Sequence, residues 1–152
     1  MKENVDAIIH TRCAYHNWRD EGAYAYILCD GEDREKIRGV KKIANETSNR
    51  AELMAIIAAM RLIPDGAKRV RVYCASQYAI GVLSGGYSLR VNKDLFEEYE
   101  RIVEQTGVSV KLHWVGADSG NMYSDLCRQM CDEELKMDYA TFCKSKPYKS
   151  WK

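Results

Sequence analysis

Residues 48–63, SNRAELMAIIAAMRLI, decide how the rest of the chain is read. Leu53, Ile56, Ile57 and Met60 recur at the spacing that gathers apolar side chains on one helix face. Asn49, with Glu52 three residues on, has the form of a capping box, and Pro64-Asp65-Gly66 marks the stop. Working towards the N-terminus, Val5, Ala7, Ile9 and Thr11 alternate with Asp6, Ile8 and His10 as a half-buried strand would. Residues 22–29 (GAYAYILC) form a second strand, Asp30-Gly31 a hairpin turn, and residues 34–43 the returning strand. Towards the C-terminus, Val70, Val72 and Cys74 predict a fourth strand, followed by a short helix over about 76–83. Leu95, Phe96, Tyr99, Ile102 and Val103 predict a helix ended by Gly107, and Val108, Val110, Leu112 and Trp114 a fifth strand. Tyr123, Leu126, Met130 and Leu135 outline the last helix. Three antiparallel strands followed by alternating helix and strand units imply an α/β fold, a five-stranded mixed sheet flanked by helices. One domain over residues 1–140 and a basic, flexible tail over 141–152 are expected.

The 23 basic and 22 acidic residues leave a formal net charge of +1, so polyanion binding needs a local patch rather than a long-range field. The expected patch candidates, Arg34, Lys36, Arg38, Lys41 and Lys42, are interspersed with Glu32, Asp33 and Glu35, the pattern of a solvated face. Lys144, Lys146, Lys149 and Lys152 lie in the tail. No apolar run matches a secretory core or a membrane span, which predicts a soluble cytoplasmic protein with no membrane partner. Six cysteines are then expected as reduced, mostly buried thiols. Cys127 and Cys131 share a helix face, but no second Cys/His pair stands at a metal-site spacing.

Residues 48–63 resemble the first helix of the ribonuclease HI family, and VYCASQYAIGVL (72–83) resembles its fourth strand and the entrance to the following helix. VDAIIHTRC (5–13) is similar to the opening strand, and residues 110–135 to the final strand, loop and helix. That family holds two divalent cations between four carboxylates, which activate water and stabilise the leaving oxygen of the RNA strand. Carried over residue by residue, the resemblance places the first Asp at His10, the Glu at Glu52, the second Asp at Ala75 and the last Asp at Arg128. The loop His falls near Asp118. The cluster charge drops from about −4 to about 0 with His10 neutral, so no metal cofactor and no cleavage by the usual mechanism are expected. Arg128 is expected to pair with Glu52 in place of the metal.

The resemblance also implies a hybrid-binding surface from Thr47, Ser48, Asn49, Arg50 and Gln77, with Asn17 (or His16) in the first hairpin turn. Such contacts read backbone shape and groove edges rather than sequence. The same residues also serve as helix caps and first turns, and the hairpin loop YHNWRDEG is longer than the family's glycine-rich one. Three functions stand: an inactive module binding RNA/DNA hybrid or duplex; a protein-interaction or self-associating domain, with Trp18 or Tyr15 in the altered loop as an aromatic contact; or a nuclease with a rearranged site. That last would place Mn²⁺ or Zn²⁺ (or Mg²⁺) among His10, Glu52 and Asp118, with Asp125 near in sequence.

Overall fold

A computed structural model describes residues 4–16, 18–85, 91–116 and 120–145, with side chains to Leu135. The five strands are β1 (Ala7–His16), β2 (Glu21–Asp30), β3 (Glu35–Ala44), β4 (Arg69–Cys74) and β5 (Ser109–Trp114), and the helices are α1 (Ser48–Met60), α2 (Gln77–Leu83), α3 (Lys93–Thr106) and α4 (Met122–Ser145). The sheet order is β3-β2-β1-β4-β5. β1–β3 are antiparallel, whereas β4 and β5 run parallel to β1, as the alternation of strands and helices predicts.

β1 is buried on both faces rather than one, because helices cover the sheet on either side. Ala7 and Ile9 pack with Val70, Val72 and the apolar side chains of α1, α2 and α3. Ile8 and Ala14 pack instead with Ala23, Ala25, Ile27 and with Cys127, Cys131 and Leu135 of α4. Since strand side chains alternate, His10 and Arg12 belong to the α4 face and Thr11 and Cys13 to the α1 face. This parity controls the site described below.

α1 is not a one-sided amphipathic helix. Ala51, Glu52, Leu53, Ala55, Ile56, Ile57, Ala59 and Met60 are all buried, since the sheet covers one side and α2 and α3 another. Its cap is Thr47, whose hydroxyl accepts from the Arg50 amide at 3.1 Å; the expected Asn49–Glu52 box does not form, because Glu52 lies one turn inside the helix and points into the protein. α3 ends at Gly107 with φ +69°, a left-handed conformation that glycine adopts without a Cβ penalty. α4 continues past residue 140 to Ser145, so helical structure crosses the expected start of the tail; the lysines at 146, 149 and 152 lie outside the described residues, as does the Lys144 side chain. Among the described residues no helix is long and apolar enough to cross a membrane.

The charged face of β3 is ion-paired as expected of a solvated surface. Arg34 meets Asp30 and Glu32, Lys36 meets Asp30, and Arg38 forks onto Glu35. These exposed pairs neutralise much of the strand's positive charge locally, and each adds little to stability.

Candidate functional site

β4 ends at Cys74 while β1 runs on to His16, so beyond the end of β4 the two sides of the sheet communicate. The parallel ladder pairs His10 with Tyr73; continuing that register by two residues sets Arg12 level with Ala75. Arg12 is buried and donates through Nη1 to Ser124 Oγ at 3.1 Å, in the first turn of α4. The Asn121 side chain caps that helix by accepting from the Ser124 amide at 2.8 Å. Across the gap, the buried Glu52 side chain of α1 lies close enough to Cys13 for that residue to lower its carboxyl pKa. Cys13 in turn donates to the Ser48 carbonyl at 3.7 Å, which holds β1 against the start of α1.

The electrostatics of this centre are those of a desolvated carboxylate beside a cation. Burial pushes the Glu52 carboxyl above its ordinary range, while the Cys13 hydrogen bond and then the Arg12 charge pull it partly back. Its Oε2 is buried with no hydrogen-bond partner among the described residues. Burial raises Cys74 to about 11 and Cys127 and Cys131 to about 12, so the thiols packed nearby stay neutral at physiological pH. The five described cysteines are all free. A pair of hard dications needs converging anionic oxygens, and one buried carboxyl under the charge of a guanidinium does not supply them. The residues present do not fit a two-metal centre.

Of the positions expected from the sequence, Glu52 alone sits in this centre as anticipated, with Ala75 just past the end of β4. His10 does not. It lies on the α4 face, 2% exposed, with Nε2 2.8 Å from Asp33 Oδ1 and its ring stacked on Tyr73 at 5.2 Å and tilted against Tyr123 at 4.8 Å. The expected Arg128–Glu52 pair is also not formed: Arg128 is 46% exposed and donates to Asp132 Oδ1 at 3.1 Å, one turn along α4. The positive charge that acts on the Glu52 carboxyl is that of Arg12. Asp118 and Asn17 lie outside the described residues. Arg12, Ser124 and Cys13 were not anticipated; the signal for Arg12 was the strand register, since counting from β4 rather than along β1 reaches it.

Thr47, Ser48, Asn49 and Gln77 are exposed at the starts of α1 and α2, on the same side of the molecule as the gap beyond β4. Arg50 differs from this expectation. Its guanidinium donates to Glu46 Oε1 (2.8 Å), to Asn92 Oδ1 (3.1 Å) and to both oxygens of Asp94 (3.0 Å each), and the Asp94 contact holds it firmly in the charged form. Asn92, in left-handed backbone at φ +63°, also donates to Tyr78 Oη at 2.8 Å. The cluster staples α1 to the start of α3 and occupies the donors a phosphate would use. Tyr15 is likewise pinned, donating to Asp20 and accepting from the Glu46 amide, whereas Trp18 is 60% exposed with the Arg19 guanidinium over its ring.

Comparison with known proteins agrees with this fold. The family model described as RNase H matches residues 4–138. A ribonuclease H of Syntrophomonas wolfei is 27% identical over 150 residues, covering 90% of this chain and 98% of its own length. A ribonuclease HI of Campylobacter jejuni is 27% identical over 119 residues, covering 74% of this chain and 79% of its own. Among solved structures, LC11-RNase H1 in complex with an RNA/DNA hybrid superposes with a TM-score of 0.72 at 17% identity, over 86% of this chain and 99% of that one. RNase H1 from Halobacterium salinarum NRC-1 gives 0.69 at 21% identity, over 86% and 98%.

Proposed function

The chain belongs to the ribonuclease H family, and on that premise we propose that it is a member without nuclease activity that binds RNA/DNA hybrid or duplex weakly and without sequence preference. The observation that carries the reading is the buried Arg12 guanidinium, whose charge acts on the buried Glu52 carboxyl, in a chain with alanine at position 75. On this reading Arg12 takes the place of the family's first carboxylate, where the sequence match alone points to His10. The last corresponds to Asp125, which follows the Ser124 that holds Arg12. Arg12, Glu52, Ala75 and Asp125 then sum to a formal charge of about −1, against about −4 for four carboxylates. A fixed cation occupies the place where dications would have to sit, and Arg cannot shed its proton to make room.

The binding half of the proposal rests on the exposed Thr47, Ser48, Asn49 and Gln77 and on the likeness to a structure that holds a hybrid. The clamp on Arg50 keeps affinity low. Titration of a labelled hybrid at low and raised salt tests it alongside a cleavage assay in Mg²⁺ and Mn²⁺. Binding that weakens with salt and no cleavage are expected. Salt-independent binding, or no binding at low salt, would favour the protein-interaction reading, for which Trp18 is the exposed aromatic. Asp94→Asn provides a graded check. Releasing the Arg50 fork is expected to tighten hybrid binding severalfold and to steepen the salt dependence by about one phosphate contact.

A further inference from the structure

On the α4 face, three metal-ligating side chains that no sequence spacing connects come together. His10 of β1, Cys29 of β2 and Asp33 of the β2–β3 turn place their ligand atoms within 4.8 Å of one another. We propose that this cluster is a zinc site, with a ligand set different from the family's four carboxylates.

The ligand chemistry selects the ion. Imidazole nitrogen, thiolate and one carboxylate suit Zn²⁺, whereas Mg²⁺ wants oxygens throughout. In a tetrahedral zinc site such atoms stand roughly 3.3–3.6 Å apart. The present His10 Nε2–Asp33 Oδ1 contact is 2.8 Å, so the Asp33 carboxylate needs to retreat only slightly. Asp33 is free to do so: its side chain is 48% exposed and its backbone sits in a turn at φ +64°, a conformation Asp tolerates. His10 and Cys29 are rigid by contrast, 2% and 1% exposed. The His10 ring is held between Tyr73 and Tyr123, and the Tyr123 hydroxyl donates to the Asp33 carbonyl at 3.0 Å. Two fixed ligands and one adjustable one match what a capture site requires.

A second feature gives the ion a route. A cavity of about 410 Å³ opens beside the cluster, lined by His10 and Asp33 together with Glu32, Arg71, Tyr73 and Asn121. A zinc ion entering there meets His10 and Asp33 first and Cys29 behind them, leaving its remaining position to water. Binding expels the Cys29 thiol proton to solvent and forms a Zn–S bond, with no change of oxidation state. The bound ion ties the β2–β3 turn to the central strand.

Cobalt substitution of the full chain reads the site directly, because a Cys-ligated Co²⁺ shows a thiolate-to-cobalt charge-transfer band. One Co²⁺ per chain with that band, displaced by Zn²⁺, and a rise of several degrees in melting temperature with Zn²⁺ but not Mg²⁺ are expected. Cys29→Ser should abolish the band. Asp33→Asn retains a partner for His10 and stays on an exposed turn, so it folds; it should weaken Co²⁺ binding by no less than the ~10–100-fold that loss of an outer hydrogen-bonding partner costs at metal sites. A wild-type chain without the band, a band that survives Cys29→Ser, or unchanged affinity in Asp33→Asn would overturn the assignment. Hybrid binding and the absence of cleavage stand or fall separately.

Discussion

Replacing Arg12 and Ala75 together by aspartate is expected to make the chain cleave the RNA strand of a hybrid in Mg²⁺, where the triple change H10D/A75D/R128D does not. The double variant removes the buried cation whose charge acts on Glu52 and adds two carboxylates, with Asp125 next to the Ser124 that Arg12 now holds. The formal charge of the four positions moves from about −1 to about −4, the condition for holding two dications. The triple variant leaves Arg12 in place and puts one new aspartate under Tyr73 and Tyr123. Cleavage gained by R12D/A75D should exceed the wild-type background by several orders of magnitude, since metal activation of water accounts for much of the rate in such centres. Without metal the added acids repel one another in a buried place, so the melting temperature of the double variant should fall and then recover on adding Mg²⁺. A double variant that folds, binds hybrid and shows neither Mg²⁺-dependent recovery nor cutting would mean that Arg12 does not occupy the metal position. Cleavage by the triple variant alone would restore His10 and Arg128 as the matching residues.

Glu52→Gln is expected to stabilise the protein at neutral pH and to lose that advantage in acid. Burial raises the folded-state pKa of Glu52 above the value in the unfolded chain, so the folded state takes up its proton more readily. Stability contributed by protonated Glu52 is therefore full below the ordinary carboxylate range and is lost as pH rises through and above that range. Gln carries no charge at any pH and still offers an oxygen to Cys13. With Oε2 buried and unpartnered among the described residues, the gain at pH 7 should be on the order of 1–3 kcal/mol. Each kcal/mol corresponds to a melting-temperature rise of about 2–4 °C for a chain of this size. Thermal unfolding of both proteins from pH 3.5 to 8 checks the sign. If E52Q is the less stable at pH 7, Arg12 holds Glu52 as a charged partner and the desolvation argument fails.

Much of the architecture could be read before any coordinates. The alternation in residues 5–11, the Asp30-Gly31 turn and the helical spacing from Leu53 to Met60 are local patterns, set by how side chains leave a strand or a helix. They predict the element order and the mixed sheet that the structure shows. Glu52 was identifiable for the same reason: it stands at a fixed offset in a distinctive helix. What local pattern does not reach is the partner of each side chain: His10 of β1 meets Asp33 of the β2–β3 turn, and the positive charge acting on Glu52 is that of Arg12. Arg128 was assigned by complementarity of sign with Glu52, but a side chain on the solvent side of α4 finds Asp132 one turn away before it can reach the gap.

Residue order alone determined the family fold, the lone buried carboxylate on α1 and the absence of an acid at position 75, because each depends on identity within a short, periodic segment. Tertiary structure alone decided which cation acts on that carboxylate, that Arg50 is bound by Asp94, and that His10 meets Cys29 and Asp33. Those are contacts between segments far apart in the chain, and only strand register and helix placement bring them within the few ångströms over which charge and hydrogen bonding act.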